Sequence, residues 1–507
     1  MLKNYLKVAY RHIKRNKIYS LINILGLSVG IAGSLFIFLW VHDELSWDGF
    51  HKNKKHIYQV MMNESFEGGI SSQTPLPFAL AKELEKTVPD IQYAVETDWG
   101  GDQLLTFQDK RLTSRSYYVG NHFLEVFSFD LIKGSASKVL DDPYSIVLTE
   151  AMASALFGKE DPINKVVIFN GNHPLKVTGI IKNVPSNSTF QFDCLVPFSL
   201  FVSTNYWAKQ FVNNFSDNSY QIFAQLKPEA SEELVNQKIR NIIKEKEEDA
   251  TGTLFLHPLT KWHLYSEFQN GKVAGGRIEI VQIFIIIAIF ILLIACINFM
   301  NLATARSEKR AREVGVRKAI GSGKKKLILQ FITESIIVAT MAFIIAIVIV
   351  ALLLPAFNLL VNKELSLPFA NPTYCLISLL FIILIGLFAG SYPAFYLSSF
   401  KPVEVLKGSI TVGKNAVAPR KLLVTLQFTF SILLIIGTLV IYRQLQYVKN
   451  RPLGYDQENL IQLNLNNQLY KNFNAFEHDL LESWVVKSIS RSSSPVTIFI
   501  LIGLMMK

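Results

Sequence analysis

Five uncharged, strongly apolar stretches, each long enough to cross a hydrocarbon core of roughly 30 Å, constrain this chain more than any other feature. They run from Ile18 to Val41, Ile280 to Ala305, Ile336 to Val361, Tyr374 to Phe400 and Leu422 to Tyr442. In IVQIFIIIAIFILLIACINF, from Ile280 to Phe299, each Ile, Leu, Phe or Val favours insertion by roughly 0.3 to 0.6 kcal/mol at a helix centre. Such a run partitions into the bilayer. The composition agrees: half of the 507 residues are hydrophobic, 18% are charged and the mean hydropathy is +0.27. The first stretch follows basic residues as a signal peptide would. It exceeds the usual apolar region of about 7 to 15 residues, however, and no A-x-A site follows it. The sequence therefore predicts a membrane protein, an α-helical bundle of five spans.

Charge supplies sidedness. The first 17 residues carry Lys3, Lys7, Arg11, Lys14, Arg15 and Lys17 and no acid. Residues 306–335 hold nine basic and three acidic residues, and residues 401–421 five and one. The long segment 42–279 holds 23 basic against 30 acidic residues. Every strongly basic segment thus falls on one side of a five-span chain, which the positive-inside rule makes the cytoplasm. The net charge of +11 is explained by topology, so no nucleic-acid partner is expected. The predicted organisation is an amphipathic basic helix over 1–17, with Leu2, Tyr5, Leu6, Ala9, Tyr10 and Ile13 at helical spacing, and the first span over 18–41. An extracytoplasmic domain with a stalk follows over 42–279, then a cytoplasmic coupling segment over 306–335, a linker over 401–421 and an extracytoplasmic tail over 443–507.

Residues 42–279 are enough for a core of their own. Thr149 is placed to cap a helix through EAMASALF that stops at Gly158, and Asn170-Gly171 stands between two β-branched runs as a hairpin turn. Ser231 opens a helix with Leu234, Val235, Ile239, Ile242 and Ile243 on one face. The domain is therefore expected to be α+β. No H-E-x-x-H spacing, G-x-S-x-G elbow or activated cysteine occurs in it. The three cysteines, Cys194, Cys296 and Cys375, provide neither a disulfide framework nor a thiolate zinc site. No catalytic residue and no metal ligand is assigned.

The longest cytoplasmic segment is about 30 residues, too short to fold into an ATPase, kinase or cyclase domain. AIGSGKKKL around Gly321 and Gly323 fails the phosphate-loop pattern twice, because Lys318 stands where its first glycine would be and Lys325 where Ser or Thr would be. Between the second and third spans Arg310 is followed by Arg312, Glu313, Val314, Gly315, Val316, Arg317, Lys318, Ala319, Ile320 and Gly321, with charged and apolar residues interleaved. Such an element can dock into a groove on a soluble partner. Val314, Val316 and Ile320 are expected to be buried there, with Arg312, Glu313 and Arg317 forming pairs at the rim.

This segment, REVGVRKAIG with QFITES at Gln330–Ser335, resembles the FtsX/MacB-like permease subunits of ABC transporters, the type VII architecture. SYPAFYLSSFKPVEVLKG at Ser391–Gly408, the N-terminal RHIKRNKIYSLINILGLSVGIA, EVFSFDLIKG and SIVLTEAMASALFG at Ser145–Gly158 are similar to that family in the same order. The resemblance implies a non-enzymatic permease of the bacterial inner membrane, with ATP and Mg bound by a separate ATP-binding subunit in the cytoplasm and no cofactor in this chain. It implies a second permease copy or half, a periplasmic adaptor or outer-membrane partner, and Arg310, Arg312–Lys318, Ile320 and Gly321 as the coupling element. In that family ATP turnover moves an extracytoplasmic domain, used for efflux, lipoprotein release or control of cell-wall hydrolases. The absence of any charged residue within the spans fits such mechanotransmission, with Gln282, Asn298, Asn301 and Gln427 as interhelical contacts. The fifth span resembles the doubled, eight-span form, and the 65 residues after Tyr442 are expected to start a second domain cut short by truncation or a frameshift. A membrane-anchored sensor or scaffold without ATP coupling is the competing reading.

Overall fold

The computed structural model describes residues 11–492 apart from 12, 13, 16, 67, 248, 249, 306, 369–370, 401–413, 452–459, 462 and 464–466. The basic N-terminal helix, the exit from the fourth span beyond Phe400, the start of the linker and the apolar C-terminal run lie largely or wholly outside the described residues. The chain begins with α1 (Lys17–Leu45) and enters an inserted domain that contains α2 (Ala79–Thr87), α3 (Glu150–Phe157) and α4 (Glu232–Ile239). It then runs through α5 (Arg277–Ala305), α6 (Ser307–Ala319), α7 (Lys324–Val361), α8 (Pro372–Ser399) and α9 (Lys414–Lys449). The five long helices among these are each apolar enough to cross a membrane.

The inserted domain has two halves. Strands β1 (Ile57–Phe66), β2 (Ile91–Thr97), β3 (Gly101–Phe107), β4 (Lys110–Val119), β5 (Ser145–Thr149), β6 (Val166–Phe169), β7 (His173–Ile181), β8 (Cys194–Pro197), β9 (Asn218–Leu226) and β10 (Thr253–Pro258) make its main sheet. Six of them close on themselves in the order β8-β5-β7-β6-β3-β4, because β8 pairs with both β5 and β4. Closure leaves this ring without free edges. Leu105, Leu148, Phe169, Val177 and Val196 fill it, and Met152 and Leu156 of α3 cap it. Thr149 accepts from the Met152 N–H and Gly158 takes a positive φ at the other end of α3, as its sequence indicates. Asn170 and Gly171 both have positive φ between β6 and β7, which pair antiparallel.

The other half is an open sheet, β2-β9-β1-β10, joined to the ring by a single pair, Thr97 with Val119. Its outer face is covered by Leu80 and Leu84 of α2 and Val235 and Ile239 of α4. Leu234 is exposed, which corrects the expected apolar face: the chain turns at Arg240–Asn241 and resumes as a separate short helix, Ile242–Lys246, whose Ile242 and Ile243 rejoin the core. Ser231 stands at the start of α4, but its hydroxyl meets the Glu233 carboxylate and caps no backbone N–H. Phe123, Phe127, Phe190, Phe223 and Trp262 form the aromatic core between the halves.

The stalk expected beneath this domain is short. Helix α1 ends at Leu45, one turn beyond Val41, and α5 begins at Arg277, one turn before Ile280. The domain therefore sits almost directly on the bundle. In the bundle, α1, α5, α7 and α8 share a core through Ile31, Phe299, Ala342, Ala346 and Ala389. Gly30 permits a very close crossing of α1 and α5, since a Cβ there would stand 2.4 Å from that of Ala295. Helix α9 lies against α5, with Phe430 stacked on Phe290 at 4.5 Å and Asn301 donating to Gln427 at 3.4 Å. The basic linker expected over 401–421 is helical from Lys414 onward.

Candidate coupling site

The segment between the second and third spans divides into α6, a glycine turn and the first turns of α7. Gly321 takes φ +98°, its N–H bonds to the Lys318 carbonyl at 3.0 Å, and the Ser322 N–H bonds back to that of Arg317 at 2.9 Å. This pair of bonds ends the helix as a Schellman turn, and the positive φ explains the glycine. Gly323 then precedes α7, which at about 1.5 Å per residue extends well beyond the thickness of the hydrocarbon core.

The turn folds one face of α6 against the membrane hairpin of α7 and α8. Val314, 2% exposed, packs with Leu327, Phe331, Ala394 and Leu397, and Gly315 is also buried. Arg310 pairs with Glu334 at 3.1 Å and lies over the Phe331 ring. Arg317 pairs with Glu313 at 2.6 Å and donates to Gln330 at 2.6 Å, and Gln330 in turn donates to Glu334 at 3.0 Å. Lys318 donates to the Ser398 and Phe400 carbonyls at 2.7 and 2.8 Å, capping the end of α8. Burial, aided by the charge of Lys324, lowers the Lys318 pKa. Charge-assisted bonds thus clamp α6 to both helices of the hairpin.

One expectation is corrected here: Val314 does not face outward, because the glycine turn sets the rotation of α6. Arg317 forms the expected pair with Glu313 and also donates inward to Gln330. Residues Arg312, Glu313, Val316, Ala319 and Ile320 share the opposite, exposed face, with Val316 46% and Ile320 81% exposed. Their spacing of three and four residues makes one continuous stripe.

A second polar cluster, which the sequence reading did not find, joins the inserted domain to the bundle. Glu44 at the end of α1 is 1% exposed. It lies 2.5 Å from His263, 2.8 Å from Lys363 in the α7–α8 connection and 3.8 Å from Arg277 at the start of α5. Lys363 also pairs with Asp43, and Trp47 stacks on His263 at 3.9 Å beneath the Lys363 ammonium. His42 meets the Tyr374 hydroxyl at 2.5 Å. Its members are spread over more than 300 residues of sequence, so no local motif marks it.

Residues 20–242 match the MacB-like periplasmic core domain, and residues 285–402 match the FtsX-like permease C-terminal domain. The chain belongs to the FtsX/MacB-like ABC transporter permeases. Among curated relatives, this permease is 24% identical over 416 residues to the macrolide export ATP-binding/permease protein MacB of Campylobacter jejuni, a match covering 79% of this chain and 60% of that protein. It is 21% identical over 421 residues to an uncharacterised ABC transporter permease of Methanocaldococcus jannaschii, covering 79% of this chain and 96% of that one. The permease thus spans about 60% of the length of the Campylobacter jejuni MacB proteins it matches. Among solved structures, the periplasmic region of MacB from Actinobacillus actinomycetemcomitans is similar at 18% identity and a TM-score of 0.32, covering 41% of this chain and 91% of that one. The extracellular domain of the noncanonic ABC-type transporter YknZ is similar at 13% identity and a TM-score of 0.30, covering 40% and 99%. Five membrane-capable helices with a periplasmic-type domain between the first two fit an inner-membrane protein.

Proposed function

We propose that this permease couples ATP hydrolysis on a separate cytoplasmic ATP-binding subunit to movement of its extracytoplasmic domain. The supporting observation is the division of labour within α6. Its inner face is clamped to α7 and α8, while Arg312, Val316 and Ile320 are exposed for docking beside the exposed Glu313, which is paired with Arg317. In this reading Val316 and Ile320 enter a groove of the ATPase and Arg312 and Glu313 line its rim. ATP and Mg belong to that partner, since this chain has no phosphate loop. A push or pull on α6 is carried by the Arg310, Arg317 and Lys318 bonds into the hairpin, and from there through the Lys363 cluster to the inserted domain. Charge distribution supports a cytoplasmic N-terminus and α6. A second permease copy or half completes the assembly.

The test is to tag the permease in its native host, solubilise it gently and identify what copurifies. Wild type is expected to bring down a soluble subunit bearing the phosphate-loop signature. The Val316→Asp, Ile320→Asp double variant is expected to lose at least 90% of it while remaining inserted and folded. Equal recovery of that subunit by both chains would remove α6 as the docking element.

A further inference from the structure

The inserted domain holds a cleft of about 480 Å³ between its two halves, within the range of sites that take small organic ligands. One wall is α2, with the preceding Phe78, and β2. The other is the pair of short helices Phe198–Thr204 and Tyr206–Phe211 that follow β8. Glu96 reaches the cleft from β2 and rests against Gly120, where a Cβ would stand 3.1 Å from its carboxylate oxygen. The glycine leaves the carboxylate room. Glu96 makes no ion pair among the described residues, and its acidic neighbour Glu85 already accepts from the Ala94 N–H at 2.7 Å. His122 is held by Glu125 at 2.5 Å and stacked on Tyr93 at 4.6 Å. Lys82 and Lys209 reach the same space from opposite walls, again without an ion pair among the described residues. Phe78, Val202 and Val212 supply its apolar surface.

An acid without its cation and two bases without their anions, set around an apolar space, define the chemistry of an occupant. We propose that this cleft binds a small aliphatic zwitterion of dipeptide size, with its ammonium on Glu96, its carboxylate on Lys82 and Lys209, and its side chains against Phe78, Val202 and Val212. Such a ligand neutralises both ends of the site at once, whereas a simple amine or a simple acid neutralises one. Burial pushes the empty Glu96 carboxyl up to about 7, and the charge of Glu85 adds to it while His122 opposes it. An ammonium on Glu96 favours the ionised form, so affinity rises as pH is raised through 7.

Binding in this cleft needs no ATPase and is measured separately from docking at α6. Titration calorimetry of the full chain in detergent micelles with leucyl-leucine is expected to show saturable binding. N-acetyl-leucyl-leucine amide, blocked at both ends, is expected to bind at least tenfold more weakly. Glu96→Gln is expected to cost at least tenfold and to abolish the pH dependence. Val202→Trp, which fills the cleft without touching its charges, is expected to abolish binding with the thermal unfolding midpoint unchanged. No saturable heat with leucyl-leucine, equal binding of the blocked peptide, or undiminished binding by Glu96→Gln would each overturn the proposal.

Discussion

His51 is 1% exposed and caged by Phe50, Phe127 and Phe129, with no hydrogen-bond partner on either ring nitrogen among the described residues. Burial foremost, and then the charge of Lys54, lowers its pKa from 6.5 to about 4. The unfolded chain therefore binds a proton below pH 6.5 that the folded domain refuses until about pH 4. By linkage, stability falls as pH drops through that window, by roughly 3 kcal/mol in all for this one group. His257, lowered to about 4 chiefly by burial, acts in the same sense. Glu96 and Asp98, raised to about 7 and about 6 mainly by burial, act in the opposite sense. The His51 contribution is accordingly read as a difference. His51→Phe, which keeps an aromatic ring in an aromatic cage, is expected to match wild type near pH 7.5 and to be more stable at pH 4.5. Thermal unfolding of both chains across that range checks it, and parallel curves would show that His51 is not held neutral.

At the scale of elements, the tightness of the α7–α8 hairpin rests on small residues. Cβ atoms at Gly386 and Gly390 would stand 2.7 Å from the Ile336 Cα and 2.6 Å from the Ser335 hydroxyl, respectively, and Ala339, Ala342 and Ala389 line the same seam. Gly386→Leu is expected to pry the hairpin open, lowering stability in detergent by about 1 to 3 kcal/mol. It should also disturb the α8 carbonyls that hold Lys318 and, under the proposed coupling, weaken recovery of an ATP-binding subunit although α6 itself is unchanged. Thermal unfolding and the same copurification measure both effects. The five long helices, the caps of α3 and the β6–β7 turn were legible because each depends on local composition or periodicity. The seam was written in the sequence as Gly386-x-x-x-Gly390, but an apolar run read for length does not show which face is thin. The inward turn of Val314 and Arg317 was less legible still. It depends on how the Gly321 turn sets the rotation of α6 against Gln330 and Leu327, a tertiary fact with no signature in the segment's own residues. Closure of the six-strand ring through the β4–β8 pairing is non-local in the same way.

For the whole molecule, the proposed coupling requires movement at α6 to reach a domain on the far side of the bundle. The chain offers one route, because α6 follows α5, which enters the domain; the clamp, however, ties α6 to α7 and α8, which do not enter it. Lys363 closes that gap: it belongs to the α7–α8 connection, yet pairs with Asp43 and Glu44 of α1 and stands over Trp47, while Glu44 also holds His263 of the domain. Removing the ammonium leaves the buried Glu44 with His263 and the more distant Arg277. Lys363→Met is therefore expected to cost about 3 kcal/mol, the lower end for a broken buried pair. Adding Glu44→Gln, which removes the orphaned charge, is expected to recover part of that loss, so the two changes are less costly together than their sum. Transmission should behave differently from stability. Under the proposed coupling, both the single and the double variant are expected to retain the ATP-binding subunit, because α6 is untouched, and both should uncouple the domain from the α7–α8 connection. Hydrogen exchange of residues 42–49 and 259–265 on adding ATP to the purified complex measures this. Wild type is expected to show a nucleotide-dependent change there and both variants to show none. If the double variant, restabilised, responds to ATP as wild type does, Lys363 holds the domain in place without carrying motion to it, and the transmission path must run through α5 alone.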